Sequence, residues 1–201
     1  MIAQVFWDAI GNYNEHTVPL QAIMLAFAAT AITMSYAGKV KWLAKLALGV
    51  LNLFIGVVFF AVYGTEPIQM YFALPLFLLS GALLAYDGIH DREDCLKKPD
   101  SFAAVLLAMY LLYPIVSLLL GNSFPKMVTH IMPCPAACLS IAVYSCYCRK
   151  KLLILSLLTI WGLTGIKSVF FSAYEDIILL LSGIYGVKLI YSEIRQRKAA
   201  S

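Results

Sequence analysis

The amino-acid sequence predicts an all-α, polytopic integral membrane protein with seven transmembrane helices. Three observations favour this fold class. The 201 residues are 62% hydrophobic and only 13% charged, whereas a soluble domain is about 45–50% apolar and about 25% charged. Long apolar runs recur along the chain, and its mean hydropathy is +0.83. Nearly all basic residues then fall on one side of a bilayer. This composition argues against a soluble enzyme, a disordered chain and a nucleic-acid-binding module.

Seven apolar runs meet or approach the length of about 20 residues that a helix needs to cross the hydrocarbon core. They cover residues 18–36, 43–63, 67–86, 102–120, 131–147, 152–171 and 175–191. The fifth run is the weakest because it is short and opens with Pro133 and Pro135, which a first helical turn tolerates. Residues 1–17 are too polar to span and are predicted to form an outer interfacial segment.

The basic residues indicate the topology independently. With seven spans, every Lys and Arg except Lys126 and Lys167 falls on one side. The positive-inside rule makes that side cytoplasmic, so the N-terminus is predicted outside the cell membrane and the C-terminus inside. Residues 87–101 then form a polar cytoplasmic loop with charges of both signs, which is typical of a solvated linker. Residues 192–201 form a basic cytoplasmic tail.

Self-comparison reveals three pairs of similar motifs, which predict an internal repeat. HTVP at 16–19 matches HIMP at 130–133, FFAVY at 59–63 matches FFSAY at 170–174, and LLSG occurs at both 78–81 and 180–183. Residues 18–86 and 121–191 are therefore predicted to be two parallel three-helix units, the second including an outer loop. Residues 102–120 form helix 4, which links them. Chance similarity between Leu- and Phe-rich spans is the alternative.

This three-plus-one-plus-three arrangement is similar to that of SWEET-type sugar transporters, in which parallel repeats are related by an axis along the membrane normal. The size and the outside N-terminus agree with that architecture. The likeness is one of architecture, and a fold does not by itself fix a function.

Two stretches carry a resemblance to a family. Residues 10–21 (IGNYNEHTVPLQ) are similar to a Tyr-Asn…Pro-x-Gln signature, and Phe124-Pro125 with residues 132–135 (MPCP) are similar to a Pro-x-Pro signature. Both resemble an uncharacterised family of bacterial multi-pass membrane proteins that are often labelled permeases. The sequence departs from the pattern at Val18 and Cys134, where Trp and Asp are common. The resemblance implies that these two helix starts matter, but it supplies no function.

Polar groups inside a bilayer are costly and are therefore the first candidates for a binding site. Asn52 lies near the middle of predicted helix 2, and Trp161 lies near the middle of helix 6, close to the equivalent repeat position. An amide and a flat aromatic ring facing one cavity would bind a small polar solute. The alternative for Asn52 is a hydrogen bond that fastens neighbouring helices.

Six further residues are candidates for an outer mouth or gate: His16, Pro19, Gln21, His130, Pro133 and Lys167. The two His residues either sense protons between about pH 5 and 8 or bond water and headgroups at the interface. The two Pro residues either bend their helices or start them. Lys167 either pairs with a carboxylate or attracts an anion, or else extends its long stem to the interface.

No motif of a catalytic, metal or cofactor site is present, so no enzyme activity, metal or cofactor is predicted. The five Cys residues do not form a secreted disulfide framework. Cys95, Cys146, Cys148 and His90 share the cytoplasmic side, where thiolates suit a soft metal, but no Cys-x-x-Cys pair occurs. Free Cys is also a common small core residue.

These features predict a transporter or facilitator of a small polar solute, acting in the lipid bilayer. One alternative is a non-catalytic membrane scaffold or partner subunit, because intramembrane charge is scarce. A membrane-embedded redox enzyme that uses Cys134 or His130 is the third hypothesis. A polar cavity between the two units would favour the transporter, and a packed interface would favour the scaffold. The solute and any homo-oligomer stay open.

Overall fold

The computed structural model describes residues 2–168 and 173–200, which form seven helices and no strand. The predicted all-α class is confirmed. The helices are α1 (Ile2–Tyr36), α2 (Leu43–Phe54), α3 (Leu74–His90), α4 (Ser101–Leu119), α5 (Pro133–Tyr144), α6 (Leu152–Leu163) and α7 (Ile177–Ala200). Helix α2 is continued by π-helical turns over Ile55–Val62, and α3 is preceded by π-helical turns over Gln69–Ala73. A 3-10 helix over Thr164–Lys167 continues α6, and another over Tyr174–Asp176 precedes α7. The repeat motif FFSAY and the end of the sixth predicted span fall largely outside the described residues.

Five helices in the described ranges are long and apolar enough to cross a membrane. They are α1, α2 with its π-helical turns, α3 with its π-helical turns, α4 and α7. The other two, α5 and α6 with its 3-10 helix, are apolar but shorter. This pattern is compatible with a membrane protein, and the count of seven spans stays a prediction.

Helix α1 begins at Ile2 and not at Val18, where the first predicted span begins. It is continuous over 35 residues, with Pro19 inside it, and its length is about 52 Å. The polar segment is helical because one face is covered by protein. Tyr13 and Asn14 on that face are fully buried, so this segment folds against its own chain.

Helix α5 is the central helix of the structure. Cys134 is half-buried, and all its other residues are buried. Helices α2, α4, α6 and α7 pack around it. It begins at Pro133 because Met132 is extended, and a Pro in the first turn has no N–H left to satisfy. Its 12 residues measure only about 18 Å.

The helix connections gather at two opposite ends. We call one the basic end, formed by residues 37–42, 91–100 and 145–151 and by the last turns of α7. Here Arg149 pairs with Asp91 at 2.9 Å and Lys150 pairs with Glu193 at 2.9 Å. We call the other the pocket end, formed by residues 63–68, 120–132 and 173–176.

Glycines allow two helix pairs to approach closely. A Cβ atom added to Gly81 would lie 2.8 Å from the Gly49 carbonyl oxygen, so α3 and α2 are in backbone contact. A Cβ atom on Gly183 would lie 2.5 Å from the Gly162 carbonyl carbon, so α7 and α6 are in the same kind of contact. Any residue other than glycine at these crossings would force the two helices apart.

Gly183→Ala therefore tests the α6–α7 contact. The added methyl group would force the two backbones apart, and overpacking of this kind costs about 1–3 kcal/mol. We expect a lower melting temperature of the detergent-purified protein. Gly11→Ala is the matched control, because its Cβ would meet only the flexible Lys126 side chain, at 3.2 Å. Equal melting temperatures for both variants would contradict the close contact.

Candidate functional site

A cavity of about 200 Å³ lies at the pocket end. Its walls come from the first turns of α1, the π-helical turns of α2 and α3, the start of α5 and the end of α6, with the loop residues Val128 and Met132. Residues 18–86 and 121–191 both contribute, so the cavity lies between the two predicted repeat units. Short π-helical segments are often found at functional sites.

Aromatic rings form one side of the pocket. Phe59, Phe60, Phe72 and Trp161 line it. The Trp161 ring lies 5.6 Å from the Phe60 ring and 5.1 Å from the buried Phe77 ring, edge-to-face in both cases. These contacts fix the indole between α2, α3 and α6. Its Nε1 is buried and has no hydrogen-bond partner among the described residues.

Two neighbouring carboxylates precede α7. Asp176 lines the pocket, accepting from the Tyr113 hydroxyl at 3.0 Å and from the Cys134 thiol at 3.2 Å. Glu175 is 1% exposed and accepts from the Ser117 hydroxyl at 2.8 Å. Its second oxygen has no partner within the described ranges. Neutral donors thus hold both groups in place.

The loop before α5 is held by α1. The Asn14 amide donates to the carbonyls of Pro125 at 2.6 Å and Met127 at 2.9 Å, and the Tyr13 hydroxyl donates to the Ile131 carbonyl at 2.6 Å. The two stretches that carry the family resemblance are therefore in direct contact. Together they fix the loop that supplies Val128 and Met132 to the pocket.

Of the two residues predicted to bind solute, only Trp161 lines the pocket. Asn52 is 1% exposed and donates to the Ser140 hydroxyl at 3.0 Å and to the Leu48 carbonyl at 2.8 Å. It therefore fastens α2 to α5, which is the geometry of the packing alternative. The structure does not bring Asn52 and Trp161 to one cavity.

The predicted mouth residues of α1 lie outside the pocket lining. His16 is exposed, bonds the Asn12 carbonyl at 2.8 Å, and stacks on the Tyr63 ring. Pro19 is exposed inside the helix. Gln21 is buried and accepts from the Thr129 hydroxyl at 2.7 Å, which adds a further link between α1 and the loop.

The other three predicted mouth residues divide differently. Pro133 and Lys167 both line the pocket. Pro133 is the first residue of α5, and the exposed Lys167 side chain lies at the mouth of the pocket. His130 lies against the Tyr110 ring, 5.1 Å away. Burial lowers the pKa of His130, which favours the neutral imidazole.

The basic end contains a fully buried ion cluster. The Lys45 ammonium lies 2.7 Å from an oxygen of Asp87 and 2.6 Å from an oxygen of Asp94. The ring of Tyr147 lies 4.5 Å from the same ammonium, and the Tyr147 hydroxyl donates to the Lys41 carbonyl at 2.5 Å. Helices α2 and α3 and both neighbouring loops are thus tied together at one cation.

A disulfide joins Cys95 to Cys148 beside this cluster. It links the 91–100 loop to the 145–151 loop, a bond that the sequence reasoning did not predict. Asp94, Cys95 and Cys148 place one candidate metal-ligand atom each within 4.8 Å of one another. The two sulfurs are bonded to each other, however, and Asp94 already contacts Lys45, so these atoms are committed to holding the loops.

Sequence reasoning missed the importance of Asp176, Glu175, Lys45 and Asp94. Adjacent acidic residues at the start of an apolar helix were the available signal for the first two. A single Lys two residues into the apolar run of α2 was the signal for the ion cluster. The partners of Lys45 could not be predicted, because Asp94 is 49 residues away in the chain.

Comparison with known proteins gives one family and no further relative. The model of the family described as "Family of unknown function (DUF6064)" matches residues 3–201. No curated protein and no solved structure is significantly similar to the chain. The predicted resemblance to an uncharacterised family is confirmed to that extent. The permease label and the SWEET-type arrangement stay predictions.

Lys45→Met tests the buried ion cluster. The substitution leaves two carboxylates buried without their cation, and breaking a buried pair in this way costs about 3–5 kcal/mol. We expect a large fall in melting temperature. Lys126→Met is the matched control, because its pair with Asp8 at 2.5 Å is about half exposed, and exposed pairs contribute about 0–1 kcal/mol. Similar losses for both variants would contradict this role of Lys45.

Proposed function

We propose that this chain, which belongs to the DUF6064 family of unknown function, is a membrane transporter or facilitator that moves a small polar solute. The pocket between residues 18–86 and 121–191 is the solute site in this proposal. The observation that carries it is a cavity that opens at one end of the molecule while the other end is closed. A volume of about 200 Å³ limits the solute to one smaller than a typical drug-like ligand.

Contacts at the basic end support the closed side of this proposal. Lys45 and Lys41 belong to residues 18–86, and Tyr147 of residues 121–191 contacts both of them. The two units are therefore joined directly where the solute would have to leave. Transport then requires the units to separate at the basic end and approach at the pocket end, as in alternating access.

The glycine contacts support two equivalent units. Gly81 and Gly183 occupy the same position in the two LLSG motifs, and each meets a glycine of the preceding helix, Gly49 or Gly162. Equivalent residues thus make equivalent helix contacts in α2–α3 and α6–α7. This agreement favours an internal repeat over chance similarity of apolar sequence.

We further propose seven spans, with α5 and α6 completing the five long helices. A helix of about 18 Å is shorter than the hydrocarbon core of about 30 Å. The loop before α5 extends its path, and its carbonyls are bonded by Tyr13 and Asn14. Irregular backbone at membrane depth is tolerated where protein covers it.

The orientation of the chain can be tested through its cysteines. The charge bias makes the basic end cytoplasmic, where thiols are kept reduced. We therefore expect the Cys95–Cys148 disulfide to be reduced to two thiols in intact cells. Acid-quenched, denatured protein should take up five maleimide labels, since the sequence has five Cys and three are already free in the disulfide form.

A reporter fused after Ser201 provides the control for that labelling. A reporter that is active only outside the cytoplasm should stay inactive. Three labels per chain together with an active reporter would place the basic end outside and reverse the orientation.

Uptake into proteoliposomes tests transport itself. We expect at least one of radiolabelled glycerol, glucose, alanine and ethanolamine to enter faster than into protein-free liposomes. Trp161→Leu should slow that uptake by about tenfold or more, because a large aromatic contact with the solute is lost. Trp42→Leu is the matched control, since Trp42 stacks under Arg92 at the basic end and should leave uptake unchanged.

Failure of this assay has a defined meaning. A folded protein that moves none of the four solutes would favour the membrane scaffold or partner subunit. Asn52→Leu distinguishes two roles of this residue. Loss of folding would agree with its packing bond to Ser140, whereas a folded variant without uptake would indicate that Asn52 lies on the solute path.

A further inference from the structure

The carboxylates at the pocket lack a protein cation. Among the described residues, no Lys, Arg or His nitrogen lies within salt-bridge distance of Glu175 or Asp176. The donors to Asp176 are a hydroxyl and a thiol, which orient its oxygens without neutralising the charge. A cation placed beside such a carboxylate would favour its charged form.

The surrounding charges add to this preference. Among the described residues that line the pocket, the charged ones are Asp176, Glu66 and one cation, Lys167. Glu175 lies behind Asp176, with one buried oxygen that has no partner in the described part of the chain. Lys167 is exposed at the mouth, where solvent screens its charge. The deep part of the pocket therefore offers carboxylate oxygens without a protein cation among the described residues.

The rest of the lining is suited to an organic ion. Phe59, Phe60, Phe72 and Trp161 present ring surfaces to the cavity. Aromatic faces attract ammonium groups, and more strongly where water is excluded. A small inorganic cation needs several oxygen ligands, whereas this lining is mostly apolar. An ammonium group with an apolar body satisfies the carboxylate and the rings together.

We infer that the pocket binds a small organic ammonium ion, with the charged group at Asp176 and the apolar body against the aromatic rings. This inference rests on the proposed function, because it names the class of solute for the same pocket. Tyr113 and Cys134 act as positioning residues that aim the Asp176 carboxylate. Glu175 acts behind them by making the electrostatic potential at the pocket more negative.

Calorimetric titration of the detergent-purified full chain tests the inference. Three matched probes are 2-phenylethylammonium, 2-phenylethanol and 3-phenylpropionate, which share an aromatic body and differ in charge. We expect the ammonium to bind at least tenfold more tightly than the alcohol, and the carboxylate to give no binding. Equal affinity for the ammonium and the alcohol would overturn the inference, and so would preferential binding of the carboxylate.

Two variants locate the charge that is responsible. Asp176→Asn should weaken ammonium binding by about 30-fold or more, since a buried charge pair loses one partner. Glu15→Gln removes an equal charge from an exposed position outside the pocket lining and should change affinity by less than about threefold. Unchanged binding by a folded Asp176→Asn variant would overturn the assignment. If that variant does not fold, two other measurements decide whether the inference holds. They are the binding of the three probes to the wild-type chain and the binding of 2-phenylethylammonium to the Trp161→Leu variant.

The same probes separate this inference from the proposed function. Binding of 2-phenylethylammonium in detergent without its uptake into proteoliposomes would support the ligand class and reject transport. Uptake of glycerol or glucose without ammonium binding would support transport and reject the ligand class. Heat released equally by sodium chloride alone would show a site for inorganic cations and overturn the organic class.

Discussion

The hydrogen bonds between α1 and the loop of residues 120–132 are the interaction on which the pocket end depends. A bilayer offers no water to backbone carbonyls, so an irregular segment beside it needs protein donors. Tyr13 and Asn14 supply three such bonds. They fix the loop that leads into the short helix α5, places Pro133 at its first turn and lines the pocket with Met132. Without these donors neither the start of α5 nor that wall of the pocket has a defined position.

The two ends of the molecule differ in how their buried acidic groups are compensated. At the basic end Lys45 lies between two carboxylates, and an aromatic ring covers it. Opposite charges there compensate one another within the protein. At the pocket end the donors to Asp176 among the described residues are neutral, so no protein cation from that part of the chain compensates it. This contrast distinguishes the basic end from the pocket end.

The sequence predicted features that depend on local composition. The runs at 43–63 and 102–120 agree closely with Leu43–Val62 and Ser101–Leu119, because an apolar run of that length has few alternatives to a helix. The extension of α1 to Ile2 was not predicted, since its polar residues are hydrogen-bonded by partners more than a hundred positions away. Trp161 could be singled out as an aromatic residue in an apolar run. The bond that fastens Asn52 to Ser140 could not be predicted, because it depends on how α2 and α5 cross.

The burial of α5 has a consequence for biogenesis in the proposed seven-span topology. A helix of 12 residues that is enclosed by its neighbours meets little lipid, so partitioning into the bilayer cannot by itself drive its insertion. Its position has to be stabilised by neighbours that are already in the membrane, and α6 and α7 are synthesised after it. In that topology the second half of the chain would therefore enter as a helical hairpin or larger group, with α6 delivered by the ribosome before α5 reaches its final depth. Membrane assembly would then be a cooperative, late event and not a stepwise addition of independent spans.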